Sequence, residues 1–169
     1  MKKLSNLTVV ILTYNRPLQI AKLIFEIINF SIIYRFKIII LDDSTNNEIK
    51  NYFKIIKKLK KNLKYYKNKI NIGHDENYAK ALKLSKTNYT WIIGDSTRIS
   101  KNFFNKISSY LDNKNDLIII GALNRNYFLK KKFNFFNKNE TLEKFSWYLS
   151  LLGSSILSKN IVKNNNKII

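Results

Sequence analysis

The chain has 169 residues, of which 45% are apolar and 14% aromatic, enough for one compact domain with a sizeable core, and this excludes an intrinsically disordered chain. It has no cysteine and a single histidine, which excludes a disulfide scaffold, a thiolate zinc site, a cysteine nucleophile and a multi-histidine metal centre. Thirty-one basic residues face 11 acidic ones, a net charge of +20, and such a balance attracts nucleic acid, anionic lipid or phosphate-bearing substrates.

The first third of the chain predicts alternating strands and helices. Residues 7–13 form a short, β-branched and nearly continuous apolar run, which indicates a strand buried on both faces. Pro17 suits the first turn of a helix, and apolar residues at helical spacing continue that helix to about residue 30. A second buried strand is predicted at 36–41, followed by a helix at 48–61 whose outer face carries lysines.

The alternation continues over the rest of the chain and weakens beyond residue 123. The further predicted elements are a strand at 63–67, a helix at 75–85, a strand at 89–93, a helix at 103–111, a fifth buried strand at 117–122, a hairpin or edge strand within 127–136, a helix at 141–152 and a short strand at 156–157. The tail from residue 160 is polar, and we expect it to be frayed.

Alternating elements with nearly all-apolar strands predict an α/β fold whose mostly parallel sheet is covered on both sides. Ligands of such sheets bind beyond the carboxyl ends of the strands. Four polar segments lie at those positions, at 13–16, 42–44, 71–74 and 94–97. We therefore expect all four to lie along one edge of the sheet.

Three blocks containing these segments resemble the family-2 glycosyltransferases of the GT-A fold. They are Val10 to Pro17 (VILTYNRP), Ile40 to Ser44 (ILDDS), and the block from Asn71 to Asp95 with its Asn-Ile-Gly and Gly-Asp ends. The spacing of the third block is similar to that of the abequosyltransferase-like branch, which builds bacterial surface polysaccharides. The resemblance implies a Rossmann-like three-layer α/β/α sandwich, with residues 1–169 forming a single nucleotide-sugar-binding domain whose acceptor-side part is reduced or missing.

A nucleoside-diphosphate sugar is the donor that the resemblance implies. A uracil-type base needs a flat partner for stacking, which Tyr14 offers, and an acceptor for its ring N–H, which Asp42 or Asp43 offers. By resemblance, Thr13, Tyr14 and Arg16 line the base and ribose. An alternative for the aspartates is that they cap the following helix.

The third block adds two candidates to the nucleotide site. Gly73 permits a close backbone approach or a left-handed conformation, and Asn77 matches an asparagine of the family. His74 is given no catalytic role. The complete set of candidate nucleotide-sugar-binding residues is Thr13, Tyr14, Asn15, Arg16, Asp42, Asp43, Gly73, Asn77 and Asp95.

A divalent cation is the cofactor that the resemblance implies, held in the family by further aspartates in this region. Only Asp95 matches here, and Thr97 stands where the family carries the metal-binding aspartate. Mg²⁺ and Mn²⁺ prefer hard, charged oxygen ligands, which the hydroxyls of Ser96 and Thr97 do not supply. Asp95 is the one candidate ligand, and the sequence leaves open whether Mg²⁺ or Mn²⁺ binds.

The catalytic base is not identified by the sequence. An inverting family enzyme takes the proton of the acceptor hydroxyl with a carboxylate from its acceptor half. Glu140 and Glu143 are the late carboxylates, and neither lies in a matching motif. Two expectations follow: a transferase that moves sugar to a glycan or lipid-linked acceptor in bacterial surface polysaccharide synthesis, or an inactive or truncated remnant that only binds a nucleotide.

The positive charge permits further interpretations. One is that the charge reflects only base composition, because an AT-rich coding sequence enriches Lys, Asn and Ile whatever the protein does. A basic nucleic-acid-binding module is a second alternative to the transferase, but such modules carry an RNP, KH or zinc-finger pattern and the sequence has none, so nucleic acid is the least favoured partner. The lysines of 50–61 predict either contact with an anionic membrane or a solvated face. With no cleavage site and no uninterrupted apolar run of about 18 residues, we expect a cytoplasmic protein, which would lie at the inner face of the cell membrane if the lysines contact it.

Overall fold

A computed structural model describes residues 3–56, 62–112, 114–120, 139–140 and 151–164. The helices and strands in these ranges are β1 (Leu7–Thr13), α1 (Pro17–Tyr34), β2 (Lys37–Asp42), α2 (Glu48–Ile56), β3 (Leu63–Lys67), α3 (His74–Leu84), β4 (Tyr89–Gly94), α4 (Phe103–Ile107), β5 (Leu117–Ile119), β6 (Ser155–Ser158) and α5 (Lys159–Asn164).

The six strands form one mixed sheet in the order β3-β2-β1-β4-β6-β5. The four strands from β3 to β4 are parallel, and β6 runs antiparallel to both β4 and β5. The predicted α/β fold with a mostly parallel sheet is therefore confirmed. The chain moves outward from β1 to β2 on one side and returns to β4 on the other, which makes the carboxyl end of β1 the crevice where ligands bind in such sheets.

Alternate side chains of β1 enter two different cores. Val9 and Ile11 belong to the larger core, to which α1, α2 and α4 contribute, whereas Val10 and Leu12 belong to a smaller core with Ala81 of α3. Since neighbouring residues of a strand face opposite sides of the sheet, an all-apolar strand needs cover on both. The sheet is accordingly the middle layer of an α/β/α sandwich.

Helix α1 is longer than its apolar pattern predicted, ending at Tyr34 rather than near residue 30. The Ser31 hydroxyl donates to the Ile28 carbonyl at 2.9 Å, which satisfies it within the helix, and Tyr34 is buried. The helix ends where Arg35 adopts a left-handed conformation with φ 59°. The polar Ser31 therefore interrupts the apolar pattern without interrupting the helix.

Three predicted elements differ at the other end of the sheet. Helix α4 ends at Ile107 rather than near residue 111, and the hydroxyls of Ser108 and Ser109 donate to carbonyls three residues earlier where the chain turns. Strand β5 is a short edge strand that ends at Ile119 and in which only Ile118 is buried, whereas a fully buried strand was predicted at 117–122. Residues 160–164, the described part of the tail expected to be frayed, instead belong to α5, which follows directly from β6.

Two further features bear on the sequence predictions. By length and composition, α1 is apolar enough to cross a membrane, and it is the one such helix in the part of the chain that is described. Its buried side chains nevertheless pack in the larger core. The predicted element at 127–136 lies outside the described residues. So do residues 57–61 of the predicted helix at 48–61 and residues 141–150 of the predicted helix at 141–152.

Candidate functional site

A cavity of about 560 Å³ opens where β1 and β4 end, beside the start of α3. Seven of the nine predicted site residues line it: Thr13, Tyr14, Arg16, Asp43, Gly73, Asn77 and Asp95. They come from four segments that are distant in the sequence. The four segments therefore meet at one edge of the sheet, as expected.

Asp43 follows β2 and is fixed by amide groups of the loop before α3. Its carboxylate accepts hydrogen bonds from the backbone N–H of Ile72 at 3.0 Å and of Gly73 at 3.2 Å, and from the Asn68 side chain at 2.8 Å. Asn68 also donates to the Asn77 side-chain oxygen at 3.1 Å. Asp43 is therefore held in one orientation at the cavity wall.

Gly73 has a conformation that this arrangement requires. Its φ is 82° and its ψ is 172°, a region of backbone space that is essentially restricted to glycine. In that conformation its N–H points to Asp43 and α3 begins at the next residue. Of the two roles that the sequence allowed for Gly73, a close backbone approach or a positive φ, the positive φ is the one observed.

Asp42, the neighbouring candidate, is fully buried and does not line the cavity. One carboxylate oxygen accepts from the Ser44 N–H at 2.8 Å, and the other accepts from the Tyr65 hydroxyl at 2.5 Å and lies 3.8 Å from the Lys67 ammonium. Burial above all, and then the hydrogen bond and the charge of Asp42, raise the pKa of Tyr65 far above its ordinary value. Asp42 therefore forms its hydrogen bonds inside the protein and is not positioned to accept one from a nucleotide base.

Asn15, the other predicted residue outside the cavity lining, joins two loops. It has a φ of 50°, its N–H donates to the Ser44 hydroxyl at 2.8 Å, and its side-chain oxygen accepts from the Thr45 N–H at 3.1 Å. The hydrogen bonds of Asp42 and Asp43 do not reach α2, the helix that the alternative had them cap, and the N–H of its first residue, Glu48, is accepted by the Asn46 side chain at 3.2 Å. Asn15 therefore shapes the loop that presents Tyr14 and Arg16.

Asp95 follows β4 and contacts Thr13, the last residue of β1, and Arg16, in the loop after β1. The Thr13 hydroxyl donates to one of its carboxylate oxygens at 2.9 Å, and the Ser96 hydroxyl donates to the other at 3.1 Å. The Arg16 guanidinium lies 3.5 Å from that second oxygen and donates to the Ser96 hydroxyl at 3.1 Å. A buried carboxylate and a half-exposed cation thus share one wall of the cavity.

Four residues that support the site were not identified from the sequence. Tyr65, Lys67 and Asn68 come from the end of β3, which pairs with β2 so that Lys67 lies opposite Asp42. Leu152 reaches the cavity from a distant segment and contacts Gly94 closely. The polar residues ending β3 were a signal available in the sequence, whereas nothing near Leu152 marked it.

The arrangement has the chemistry for a ligand with a flat ring and a negatively charged group. Tyr14 exposes 46% of its surface at the cavity, which offers a face for stacking. Asp43 is an acceptor-only group when ionised and so favours a ring that carries an N–H. Arg16 provides planar N–H donors suited to a phosphate.

The residues around Asp95 do not fit a divalent cation. Within the ranges described above, no group of three or more His, Cys, Asp or Glu side chains could hold one. Both oxygens of Asp95 already accept hydrogen bonds, and the Arg16 charge lies 3.5 Å away. Thr97 adds only a neutral hydroxyl to this wall.

Comparisons with solved structures show the same fold. The chain matches S. aureus TarS 1-349 with a TM-score of 0.69 and 19% identity, covering 98% of this chain and 49% of that one. The complex of that protein with UDP-GlcNAc matches with a TM-score of 0.69, 20% identity, and coverage of 98% and 48%. The mannosyltransferase PcManGT from Pyrobaculum calidifontis, in complex with GDP-Man and Mn²⁺, matches with a TM-score of 0.67, 9% identity, and coverage of 95% and 46%.

The chain therefore spans about half the length of the solved structures that it matches. No curated protein sequence matches it. Residues 8–154 match the family described as Glycosyl transferase family 2, a range that begins in β1 and ends just before β6. With this match over most of its length and its GT-A fold, the protein belongs to glycosyl transferase family 2.

Proposed function

We propose that the protein is an inverting glycosyltransferase that uses a nucleoside-diphosphate sugar as its donor. One observation carries the proposal: Tyr14, Asp43, Arg16 and Asp95 line the same cavity at the carboxyl ends of the strands. Solved proteins of this fold have been crystallised with UDP-GlcNAc and with GDP-Man, which supports the class of donor. Residues 1–169 would provide the donor-binding domain.

Each wall of the cavity would recognise a different part of the donor. Tyr14 would stack on the base, and Asp43 would accept the N–H of a uracil, thymine or guanine ring. Thr13 and Asn77 would lie beside the ribose, and Arg16 would face the diphosphate. Cytosine has no N–H at its ring N3, so a CDP-sugar is the donor least suited to Asp43.

In the reaction, an acceptor hydroxyl attacks the anomeric carbon from the side opposite the diphosphate. The new C–O bond forms as the bond from the anomeric carbon to the phosphate oxygen breaks, and the nucleoside diphosphate leaves with the electron pair. A general base takes the hydroxyl proton. Glu140 is exposed, Glu143 lies outside the described residues, and neither is assigned this role.

For the acceptor, we propose a glycan or lipid-linked sugar of a bacterial surface polysaccharide. The support is the likeness of the block 71–95 to the abequosyltransferase-like branch. A location at the inner face of the cell membrane agrees with such an acceptor. Exposed lysines and apolar side chains alternate on α2, at Lys50, Tyr52, Lys54 and Ile55, a pattern suited to an anionic bilayer surface.

Calorimetry with UDP-, dTDP-, GDP- and CDP-sugars tests the donor class. We expect binding of at least one donor, and weaker binding after Asp43→Asn. Asp75→Asn is the matched control, since Asp75 is an exposed carboxylate in the first turn of α3. Binding of none of the four donors would contradict the proposal.

Activity separates the transferase from a remnant that only binds. Incubation of each bound donor with lipid-linked acceptor glycans should release the nucleoside diphosphate and form product with inverted anomeric configuration. Binding without either transfer or donor hydrolysis would favour the remnant. Co-sedimentation with vesicles with and without anionic lipid tests the location, where equal partitioning would contradict it.

A further inference from the structure

We propose that in this chain the Arg16 guanidinium, and not a divalent cation, neutralises the diphosphate of the nucleotide. The inference rests on the proposed function, because it concerns the same cavity and the same class of ligand. Three properties of the cavity wall support it: the state of Asp95, the shortage of other carboxylates, and the position of Arg16.

Asp95 is already hydrogen-bonded and paired with a cation. It is 8% exposed, and its two oxygens accept from the hydroxyls of Thr13 at 2.9 Å and Ser96 at 3.1 Å. A divalent cation on the same carboxylate would also lie beside the Arg16 charge, which is 3.5 Å from it. Repulsion between like charges at such distances opposes that arrangement.

Among the described residues, the wall that carries Asp95 has no second carboxylate. Asp43 is the other carboxylate that lines the cavity, and its oxygens accept from the amides of Ile72, Gly73 and Asn68. Thr97 supplies a neutral hydroxyl. At phosphate sites Mg²⁺ is bound by one or two carboxylates together with the substrate phosphates, and Asp95, the candidate carboxylate of this wall, is already paired with the Arg16 cation.

Arg16 is placed and shaped to bind the diphosphate. Its side chain lines the cavity and is 58% exposed, so guanidinium N–H groups can reach a ligand. The Asp95 ion pair and the Ser96 hydrogen bond restrict its orientation, which reduces the entropy lost when it binds. A planar guanidinium binds phosphate through parallel hydrogen bonds that a single charge does not match.

The test compares diphosphate with nucleoside binding in the full chain. Calorimetry with UDP, dTDP, GDP and CDP, and with the corresponding nucleosides, is run in EDTA and again with Mn²⁺. For the diphosphate that binds, we expect affinities in EDTA and Mn²⁺ to agree within about threefold. Arg16→Gln should weaken the diphosphate roughly 10- to 100-fold, as loss of a charge-assisted hydrogen bond implies, while the nucleoside affinity stays unchanged.

Arg98→Gln is the matched control for charge. Arg98 is exposed and close in sequence to Asp95, but it does not line the cavity. It should change the diphosphate affinity by less than about threefold at 0.15 M salt, where charges are screened beyond about 8 Å. An equal loss in both variants would mean that only net charge matters and would overturn the proposal.

Asp95→Asn separates the two cations directly. If Arg16 binds the diphosphate, the affinities of Asp95→Asn in EDTA and in Mn²⁺ should still agree within about threefold. If a metal ion on Asp95 binds it, Mn²⁺ should strengthen binding to the unaltered chain and not to Asp95→Asn. Tenfold or greater stimulation of the unaltered chain by Mn²⁺ that is lost in Asp95→Asn would overturn the proposal while leaving the proposed donor class intact. Absence of binding under every condition would contradict both.

Discussion

The Thr13 hydroxyl donates a hydrogen bond to the Asp95 carboxylate at 2.9 Å, although 82 residues separate them in the chain. Thr13 ends β1 and Asp95 follows β4, and these strands are adjacent and parallel. The bond therefore joins two walls of the cavity at the point where the order of the strands reverses. It also holds Asp95 where the Arg16 cation reaches it.

Tyr14 should supply most of the affinity for the base. Tyr14→Ala removes the exposed ring from the cavity wall, and stacking of a base on an aromatic ring contributes about 1–3 kcal/mol. We expect nucleoside affinity to fall roughly 5- to 100-fold, with Tyr14→Phe close to the unaltered chain. Tyr52→Ala removes a similarly exposed tyrosine on α2 and should leave calorimetric affinity unchanged. An equal effect of both alanine variants would contradict the assignment.

Asp43→Asn should lower stability as well as nucleotide binding. The replacement amide presents N–H groups where the carboxylate accepts from the backbone of Ile72 and Gly73 and from Asn68. A partly buried donor left without its acceptor costs about 1–3 kcal/mol. Urea unfolding should show that loss, whereas Asp75→Asn should cost less because Asp75 is exposed. Unchanged stability would show that the Asp43 bonds are energetically unimportant.

Gly73→Ala should strain the backbone without a steric clash. A Cβ at this position has no atom within 4 Å, but φ is 82° and ψ is 172°, a conformation that costs a non-glycine residue about 1–3 kcal/mol. We expect lower unfolding free energy in urea and weaker nucleotide binding, because the Gly73 N–H contacts Asp43. For comparison, Gly94→Ala meets only the end of the Leu152 side chain, at 3.1 Å, and should destabilise the fold less.

Tyr65 should make the protein less stable in alkali. Burial, together with Asp42, raises the pKa of Tyr65 above its ordinary value of 10.0, so above pH 10 the unfolded chain releases a proton that the folded chain retains. Stability therefore falls as pH rises through this range. In Tyr65→Phe, stability at pH 8 should fall by about 1–3 kcal/mol, because the buried Asp42 loses a donor, but the further loss between pH 8 and pH 11 should be smaller.

The control for the alkaline effect is Tyr52→Phe, which removes an exposed hydroxyl. Its urea midpoints at pH 8 and pH 11 should follow those of the unaltered chain. Lysine deprotonation affects all three proteins alike, so the comparison isolates Tyr65. If Tyr65→Phe loses as much stability between the two pH values as the unaltered chain, the Tyr65 prediction is wrong.

If the proposal for Arg16 is right, Thr97→Asp should create a dependence on metal. The substitution places a second carboxylate at the wall that carries Asp95, and carboxylates together with substrate phosphates are the usual ligands of such cations. We expect Mn²⁺ to increase diphosphate affinity at least tenfold in this variant, measured by calorimetry against EDTA. Thr97→Asn has a similar shape without the charge and should show no such increase. A response equal in both would indicate that the carboxylate is irrelevant.

The local sequence determined the elements and the edge of the sheet that matters. Continuous apolar runs identified β1, β2 and β4 within a residue or so of their ends, because a strand buried on both faces leaves no other pattern. Polar residues immediately after those runs located the cavity, since the carboxyl ends of parallel strands meet at one edge. The ends of α1 and α4 were less predictable, because serine hydroxyls satisfied by nearby carbonyls continue a helix in one case and accompany its end in the other.

Tertiary structure alone decided which of two adjacent aspartates faces the cavity. Asp42 and Asp43 are indistinguishable by composition, but successive side chains near a strand end point in different directions. The register of β2 with β3 places Lys67 opposite Asp42 and draws that carboxylate into the interior, leaving Asp43 for the cavity. Leu152 likewise reaches Gly94 only through folding. Such choices depend on contacts between residues far apart in the chain, about which a local pattern carries no information.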